Sequence, residues 1–278
     1  MPEGDTLFRT AEVLRAALLG RTVAVARGRP GGARLELLAG RTIIAVETRG
    51  KHLLVEASGG LTLHTHLGMH GSWHRYREGE PWRRSPAGAV AVVEVPGTVA
   101  VCFAAPTVEL VETRALPVHP VLSRLGPDLL STVLNLEEAV ARLRAVGRES
   151  VPIADALLDQ RALAGIGNVY RSEVCFLERV DPITPPDALD DATLARVVAT
   201  ARRLLAANLH SPYRTTVEPD DGLSPGRRGS RLWVYGRAGR PCRRCGTVIR
   251  SLATGPLARR VYWCPTCQPP FRPTRRTP

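Results

Sequence analysis

The sequence predicts an α+β fold in which an antiparallel β-sandwich with an N-terminal helix precedes a helical domain and a small cysteine-bounded β-hairpin. Short β-branched runs follow one another from residue 22 to about residue 113. Apolar residues recur with helical spacing from Asn135 onward, and two Cys-x2-Cys pairs lie near the C-terminus. Closely spaced short strands are typical of a sandwich, and a period of about 3.6 residues is typical of amphipathic helices.

The first predicted element is a helix over residues 4–20, with Gly20 at the position of a C-terminal cap. Its apolar stripe consists of Leu7, Val13, Leu14, Ala17 and Leu18. Alternating and β-branched runs then predict strands that are separated by turn residues. The predicted strands cover residues 22–26, 33–38, 42–48, 52–57, 61–65, 89–95, 98–103 and 108–112.

The second half is predicted to be helical after a Pro- and Gly-rich linker. The predicted helices cover residues 136–145 and 153–158, a stretch after Gly167, and residues 190–209. A polar, Gly- and Pro-rich stretch over residues 211–230 predicts a mobile loop. The expected division is 1–115 for the sandwich domain, 116–128 for the linker, 129–230 for the helical domain, 231–270 for the hairpin module and 271–278 for a basic tail.

The chain carries a large excess of positive charge, with a formal net charge of +12 and a pI near 10.4. Such an excess predicts a polyanionic partner. No apolar run reaches the roughly 18 residues of a membrane span, and the polar start does not fit a signal peptide. We therefore expect a nucleic acid as the partner rather than a membrane, and a cytoplasmic location.

Four of the six cysteines have the spacing of a zinc site. Cys242 and Cys245 form one Cys-x2-Cys pair, and Cys264 and Cys267 form a second pair after eighteen intervening residues. Such pairs joined by a hairpin are typical of a closed four-sulfur structural site, which predicts one Zn²⁺. Disulfides are the alternative, but nothing marks the chain as secreted. The other two cysteines, Cys102 and Cys175, lie in apolar contexts and are expected to be small buried hydrophobes.

The N-terminus, Met1-Pro2-Glu3, contains a candidate nucleophile beside an acid. Removal of the initiator methionine is expected to leave the secondary amine of Pro2 as the first group of the chain. Because an α-amino group titrates near about pH 8, a useful fraction is unprotonated at neutral pH and can attack a carbonyl-like carbon. Proline also follows methionine in many proteins without catalytic consequence, so this interpretation depends on the rest of the chain.

Two further features suggest phosphate contacts. Lys51 is the only lysine among 38 basic residues. Either its site needs a compact point charge rather than a planar guanidinium, or this lysine remains by chance in an arginine-rich composition. Residues 159–168 contain Gly165, Gly167 and Asn168 at a predicted helix start. Bare amides at a helix N-terminus can bind a phosphate, although a plain helix-capping loop has the same composition.

A histidine-rich stretch follows the fifth predicted strand. His64 and His66 lie two residues apart and so share a face of that strand, and His70 and His74 come soon after. No carboxylate or cysteine lies at ligand spacing nearby in the sequence. We therefore expect loop and surface histidines near a nucleic acid, with a second metal site as the alternative.

Seven segments together resemble the formamidopyrimidine-DNA glycosylase / endonuclease VIII family over almost the whole length. They are MPEG at 1–4, RGKHLL at 49–54, HLGMHGSW at 66–73, HPVLSRLGPDLL at 119–130, LAGIGNVYRSEVCF at 163–176, VYGRAGRPC at 234–242 and WCPTCQ at 263–268. The resemblance is closest to bacterial endonuclease VIII. It implies a helix-two-turns-helix motif in the helical domain and a zinc-ribbon hairpin after it.

The resemblance also implies an activity, that of a bifunctional DNA glycosylase and AP lyase of base excision repair. Pro2 then attacks C1′ of the damaged nucleotide to form a Schiff base, Glu3 handles the proton transfers, and β,δ-elimination cleaves the strand. The implied phosphate contacts are Lys51, Asn168 and Arg259. The implied wedge, which fills the gap left by the extruded base, is Met69. Met69 as a core residue is the alternative to the wedge. The implied partner is damaged duplex DNA bound by a monomer associated with the nucleoid, without a small-molecule cofactor.

The lesion type is inferred from two places where this sequence departs from the pattern of one family branch. The family branch that reads oxidised guanine carries an Arg-Arg-Phe-Gly tip between two late strands, where this chain has residues 105–108, Ala-Pro-Thr-Val. It also has Gly4-Asp5-Thr6 in place of Leu-Pro-Glu. Both departures favour oxidised pyrimidines, while the HLGM stretch resembles the guanine branch. A glycosylase for 8-oxoguanine and formamidopyrimidine, and a non-catalytic zinc-ribbon DNA-binding protein, are the alternatives.

Overall fold

The computed structural model describes residues 2–147, 150–211, 213–217 and 231–270. The chain divides into two compact units, Met1–Arg124 and Leu125–Pro278. The first holds the N-terminal α-helix and two antiparallel sheets, and the second holds the remaining α-helices and a two-stranded hairpin. The predicted α+β fold class is confirmed. The finer division at residues 115, 128, 230 and 270 stays a prediction.

The first unit is a β-sandwich with one helix packed on it. Its elements are α1 (Gly4–Leu18), β1 (Val25–Gly28), β2 (Ile43–Arg49), β3 (His52–Ala57), β4 (Leu61–His66), β5 (Ser72–Arg77), β6 (Ala89–Val95), β7 (Thr98–Phe103) and β8 (Thr107–Glu112). One sheet has the order β1-β6-β7-β5 and the other has β2-β3-β4-β8, and neighbouring strands are antiparallel. Apolar side chains of α1 and of alternate strand positions, such as Leu7, Leu53 and Leu63, form the shared core.

Three details of this unit differ from the prediction. Residues Leu35–Leu38 form a 3-10 helix instead of a strand, and this helix buries both Leu35 and Leu38, which are three residues apart and so lie on one face. Strand β5 was not predicted, because its histidine and arginines hide the alternation that buries Tyr76. Val13 is half exposed, at the edge of the α1 stripe.

The second unit contains four helices and a hairpin among its described residues. They are α2 (Leu136–Gly147), α3 (Ile153–Ala156), α4 (Asn168–Leu177), α5 (Asp191–Ala207), β9 (Arg250–Thr254) and β10 (Arg259–Trp263). Asp190 caps α5, since its Oδ1 accepts the Thr193 amide at 2.6 Å. The predicted loop over 211–230 lies largely outside the described residues, and the basic tail lies wholly outside them. No helix in the described part is long and apolar enough to cross a membrane.

Candidate functional site

The N-terminal residues lead directly into α1. Glu3 is the N-cap, with an extended backbone, and its carbonyl accepts the amides of Thr6 at 2.9 Å and Leu7 at 3.0 Å. The Glu3 side chain is fully buried, and Pro2, which precedes it, is half-buried. The positive end of the helix dipole therefore lies beside Pro2 and disfavours protonation of an amine there. This arrangement suits a nucleophilic amine next to a desolvated carboxyl group.

Asp5 is also fully buried, in the first turn of α1. Its Oδ2 lies 3.3 Å from Nη1 of Arg9, and its Oδ1 accepts the Thr6 hydroxyl at 3.4 Å. The sequence assigned no role to Asp5 or Thr6. These contacts show that both side chains join a local network on the helix.

Lys51 lies in the tight turn between β2 and β3. Gly50 has φ of 58°, a left-handed conformation that glycine adopts at no steric cost, and Arg49 and His52 pair directly across the turn. Lys51 is half-buried. The strands on both sides fix its backbone, so its position is set by the sheet rather than by a long loop.

Met69 projects from the turn between β4 and β5, where 58% of its surface is exposed. The alternative that it is a core methionine is therefore wrong. This turn packs tightly on the turn that joins β7 and β8, and neither Gly68 nor Gly71 leaves room for a side chain. A Cβ atom at position 68 would lie 2.8 Å from Pro106 Cγ, and one at position 71 would lie 3.0 Å from Ala105 Cα. The two turns support each other and present Met69 to solvent.

Asn168 and Arg259 are brought to one place in the second unit. Asn168 is the first residue of α4, after the extended N-cap Gly167, and its Nδ2 donates to the Arg260 carbonyl at 3.1 Å. This bond ties the helix start to β10, whose first residue is Arg259. The start of α4, where free amides can bind an anion, and the backbone that carries Arg259 therefore lie together.

A buried arginine that the sequence analysis missed reinforces this junction. Arg171 is fully buried, donates to Oδ1 of Asp155 at 2.7 Å and to the Arg259 carbonyl at 2.7 Å. Thr254 donates to the same carboxylate oxygen at 2.8 Å. Burial lowers the pKa of Arg171, and Asp155 opposes that shift. No clear signal for this network is present in the sequence, because Arg171 lies among other polar residues of α4 such as Ser172 and Glu173.

The four spaced cysteines converge at the base of the hairpin. Their sulfur atoms lie within 4.8 Å of one another, and the Cys242–Cys267 and Cys245–Cys264 pairs are 3.9 and 3.4 Å apart. A tetrahedral site with Zn–S bonds of about 2.3 Å has edges of about 3.8 Å. The donor set and its spacing fit zinc. The other two cysteines are fully buried, and burial raises the pKa of Cys102 and of Cys175 to about 12.

Glu173 holds the segment that enters this cysteine module. Its carboxylate accepts the backbone amides of Trp233 at 2.7 Å, Val234 at 2.9 Å and Tyr235 at 2.8 Å, and it also accepts the Thr216 hydroxyl. Burial raises the pKa of Glu173, and these hydrogen bonds lower it in part. A carboxylate on α4 thus fixes the turn before Cys242, the first of the four clustered cysteines.

The histidine prediction is wrong for His64, which is 1% exposed rather than on the surface. It pairs across the sheet with Glu109, whose Oε1 lies 2.9 Å from His64 Nδ1 and 3.4 Å from His119 Nε2. A carboxylate is therefore nearby after all. The sequence could not show this, because Glu109 is 45 residues downstream and depends on the β4–β8 register.

Comparison with known proteins identifies the family. Residues 1–104 match the model of the formamidopyrimidine-DNA glycosylase N-terminal domain, and residues 125–218 match that of the formamidopyrimidine-DNA glycosylase H2TH domain. A probable endonuclease 8 2 of Streptomyces coelicolor is 43% identical over 100% of this chain and 98% of its own length. The chain belongs to the formamidopyrimidine-DNA glycosylase family.

Further members of the family resemble the chain over nearly its full length. The DNA-(apurinic or apyrimidinic site) lyase Nei2 of Mycolicibacterium smegmatis is 41% identical over 96% of this chain and 99% of its own. These relatives confirm the resemblance to endonuclease VIII and the activity class, a bifunctional DNA glycosylase and AP lyase of base excision repair. The non-catalytic DNA-binding alternative is therefore wrong.

Solved structures of the family share the fold. The MutM (Fpg) protein of Thermus thermophilus superposes with a TM-score of 0.78 at 32% identity, covering 98% of this chain and 100% of that one. The Fpg of Lactococcus lactis, in complex with DNA containing an abasic site, gives 0.81 at 21% identity, covering 97% of this chain and 100% of that one. The second likeness concerns the fold alone.

Proposed function

We propose that this glycosylase removes oxidised pyrimidines from duplex DNA through a Schiff base on Pro2 and cleaves the strand by β,δ-elimination. The observation that carries the proposal is the fully buried Glu3 at the N-cap of α1, directly after Pro2. The helix start disfavours protonation of the Pro2 amine, and the adjacent carboxyl group can exchange protons with the substrate. The mechanism requires that Pro2 is the first residue of the mature chain.

The proposed chemistry proceeds by covalent catalysis. The Pro2 nitrogen forms a bond to C1′, and the glycosidic bond breaks as the base leaves with a proton. The C1′–O4′ bond then opens, O4′ gains a proton, and a positively charged iminium remains on the sugar. The iminium acidifies C2′, so that loss of a proton there expels the 3′ phosphate. A second proton loss expels the 5′ phosphate, and water releases Pro2. Glu3 is the proposed carrier of these protons.

The phosphate contacts are proposed for residues of both units. Lys51 offers an ammonium group from the β2–β3 turn, and Asn168 and Arg259 offer donors at the α4–β10 junction. We further propose that Met69, exposed at its turn, fills the gap left by the extruded base. One structural Zn²⁺ held by the four cysteines stabilises the hairpin that carries Arg259, and the enzyme works as a monomer on chromosomal DNA in the cytoplasm.

The preference for pyrimidines is supported by the turn between β7 and β8. Only residues 104–106 separate these strands, and Ala104 has φ of 52°. Their side chains are short and uncharged, and Pro106 packs on Gly68. A turn of this kind offers no guanidinium or aromatic group to a base. The relatives named endonuclease 8 agree with this branch.

A substrate panel tests the proposed function. Duplexes carrying thymine glycol, dihydrouracil or 8-oxoguanine opposite cytosine are cut under single-turnover conditions, with an N-terminally extended chain as the inactive control. We expect faster cutting at both pyrimidine lesions, with phosphates at both new ends. Preferential cutting at 8-oxoguanine would contradict the lesion assignment, and equal cutting by the extended chain would contradict the role of Pro2.

A further inference from the structure

A chain of polar side chains runs across one face of the sheet β2-β3-β4-β8. His52 is the first residue of β3, His64 lies on β4 and Glu109 lies on β8, and His119 comes from the segment after β8. His52 Nδ1 is 2.8 Å from His64 Nε2, His64 Nδ1 is 2.9 Å from Glu109 Oε1, and Glu109 Oε1 is 3.4 Å from His119 Nε2. The three rings are 6%, 1% and 9% exposed, respectively.

The backbone sets the direction of these hydrogen bonds. His119 Nδ1 accepts the amides of Val121 and Leu122, both at 3.2 Å, so it carries no proton. The neutral ring then has its proton on Nε2, the nitrogen that lies 3.4 Å from Glu109 Oε1. A carboxylate only accepts, so His64 must donate to it from Nδ1. His64 Nε2 is left as an acceptor, and His52 donates to it from Nδ1.

The same placement of protons on the ring nitrogens argues against a metal ion at this cluster. Although the ligand atoms of His64, Glu109 and His119 lie within 4.8 Å of one another, a metal on His119 Nε2 would leave that ring without any proton. Neutral histidine ligands keep a proton on the second nitrogen and donate it outward. Burial also lowers the pKa of His64, and it lowers the pKa of His52 to about 3, so both rings are neutral near pH 7.

We propose that His119, Glu109, His64 and His52 form a positioning chain that fixes Lys51 in place. The proposal rests on the proposed contact of Lys51 with a phosphate. His52 follows Lys51 directly and pairs with Arg49 on one side and His66 on the other. Because the turn contains only residues 50–51, a shift of His52 moves the Lys51 backbone. The chain thus anchors the only lysine of the protein to the segment 119–122.

A double-mutant cycle with Lys51→Ala tests this role. Glu109→Leu removes the carboxylate that both His64 and His119 contact, and Glu109→Gln, the matched control, keeps an oxygen at the same place. Misplacing a substrate-binding group costs roughly 10- to 100-fold in rate. We expect such a loss of the single-turnover excision rate for Glu109→Leu, little loss for Glu109→Gln, and no further loss when Glu109→Leu is added to Lys51→Ala.

The outcomes separate the two hypotheses. If Glu109→Leu lowers the excision rate by the same factor in the presence and in the absence of Lys51, the positioning chain alone is overturned. A purely structural defect would act independently of Lys51 in this way. A normal rate for Lys51→Ala would overturn the role of Lys51 and the chain together. Long-range ¹⁵N–¹H correlation spectra of the unaltered protein give a second measurement that needs no variant. We expect Nδ1–H on His52 and His64 and Nε2–H on His119, and any other tautomer set contradicts the proposal.

Discussion

At the scale of single residues, Lys51 shows how charge and shape combine. It is the only lysine among 38 basic residues, in a turn whose ends pair directly. We predict that Lys51→Arg keeps the salt dependence of DNA binding but lowers the single-turnover rate by roughly 10- to 100-fold, because the wider planar guanidinium cannot take the same position. Binding titrations over a range of salt and rapid-quench assays measure both. Full activity of Lys51→Arg would show that only the charge matters.

The burial of His52 predicts a pH dependence of stability. Burial, then the neighbouring His66, His64, Lys51 and His119, lower its pKa from 6.5 to about 3. The unfolded chain therefore binds a proton that the folded chain does not between these values. The contribution of His52 to the free energy of unfolding is fully present above about pH 6.5. It falls by roughly 1 kcal/mol per pH unit as the pH drops toward 3.

Denaturant titrations between pH 7 and 4 check this slope. The variant His52→Phe should flatten it, and exposed His70→Asn is the matched control. A slope that His52→Phe leaves unchanged would assign the dependence to other groups.

At this scale the sequence was informative only where a residue type is rare or its spacing is diagnostic. Lys51 and the cysteines could be selected in this way, and Pro2 could be selected by its position directly after the initiator methionine. His64, Glu109 and Arg171 could not, because their roles depend on partners at distant positions in the chain. The contact of His64 with Glu109 exists only through the β4–β8 register, and that of Arg171 with the Arg259 carbonyl spans 88 residues.

At the scale of secondary structure, the cysteine-bounded hairpin module is joined to α4 by Arg171 and Glu173, and its small apolar core includes Phe176 of that helix. We predict that chelation releases one zinc per chain and abolishes DNA binding, since structural zinc supplies roughly 10 to 16 kcal/mol of folding free energy. The β-sandwich of the first unit should stay folded. Metal analysis, binding assays and circular dichroism measure the three effects. Loss of all β-sheet signal, or normal binding without metal, would contradict this.

The predicted elements agree with the structure where one periodicity dominates. Strands β3, β6 and β7 have the predicted bounds, and α1 ends at Leu18, two residues before the predicted cap Gly20. The pattern failed at Leu35–Leu38, where leucine spacing fits both a strand and a 3-10 turn. It also failed at β5, an edge strand in which the exposed Arg75 and Arg77 alternate with His74 and the buried Tyr76. The sequence of a strand alone does not reveal which of its two faces is covered by a loop from another part of the chain.

At the scale of the whole molecule, the net charge of +12 predicts strongly salt-dependent DNA binding. If about four phosphates are neutralised, affinity falls roughly 150-fold between about 50 and 200 mM salt. Arg259→Ala should lower the slope by about one unit. Exposed Arg34→Ala removes the same charge and is the control for a general effect. Equal slopes for the unaltered protein and Arg259→Ala would remove Arg259 from the phosphate contacts.

The family, the fold class and the activity class could be predicted from motifs across the whole chain, because seven segments rarely coincide by chance. The lesion preference could not be predicted with the same force. In our proposal it depends on the shape of the turn at residues 104–106 and on the packing of that turn against Gly68 and Gly71, which composition alone does not reveal.

Borohydride trapping followed by peptide mapping tests the covalent role of Pro2 most directly. The protein is incubated with duplex DNA containing an abasic site, reduced and digested, and the cross-linked peptide is sequenced by mass spectrometry. We predict one adduct, on the nitrogen of Pro2, that is absent when extra residues precede Pro2. An adduct on Lys51, or equal trapping by the extended chain, would contradict the mechanism.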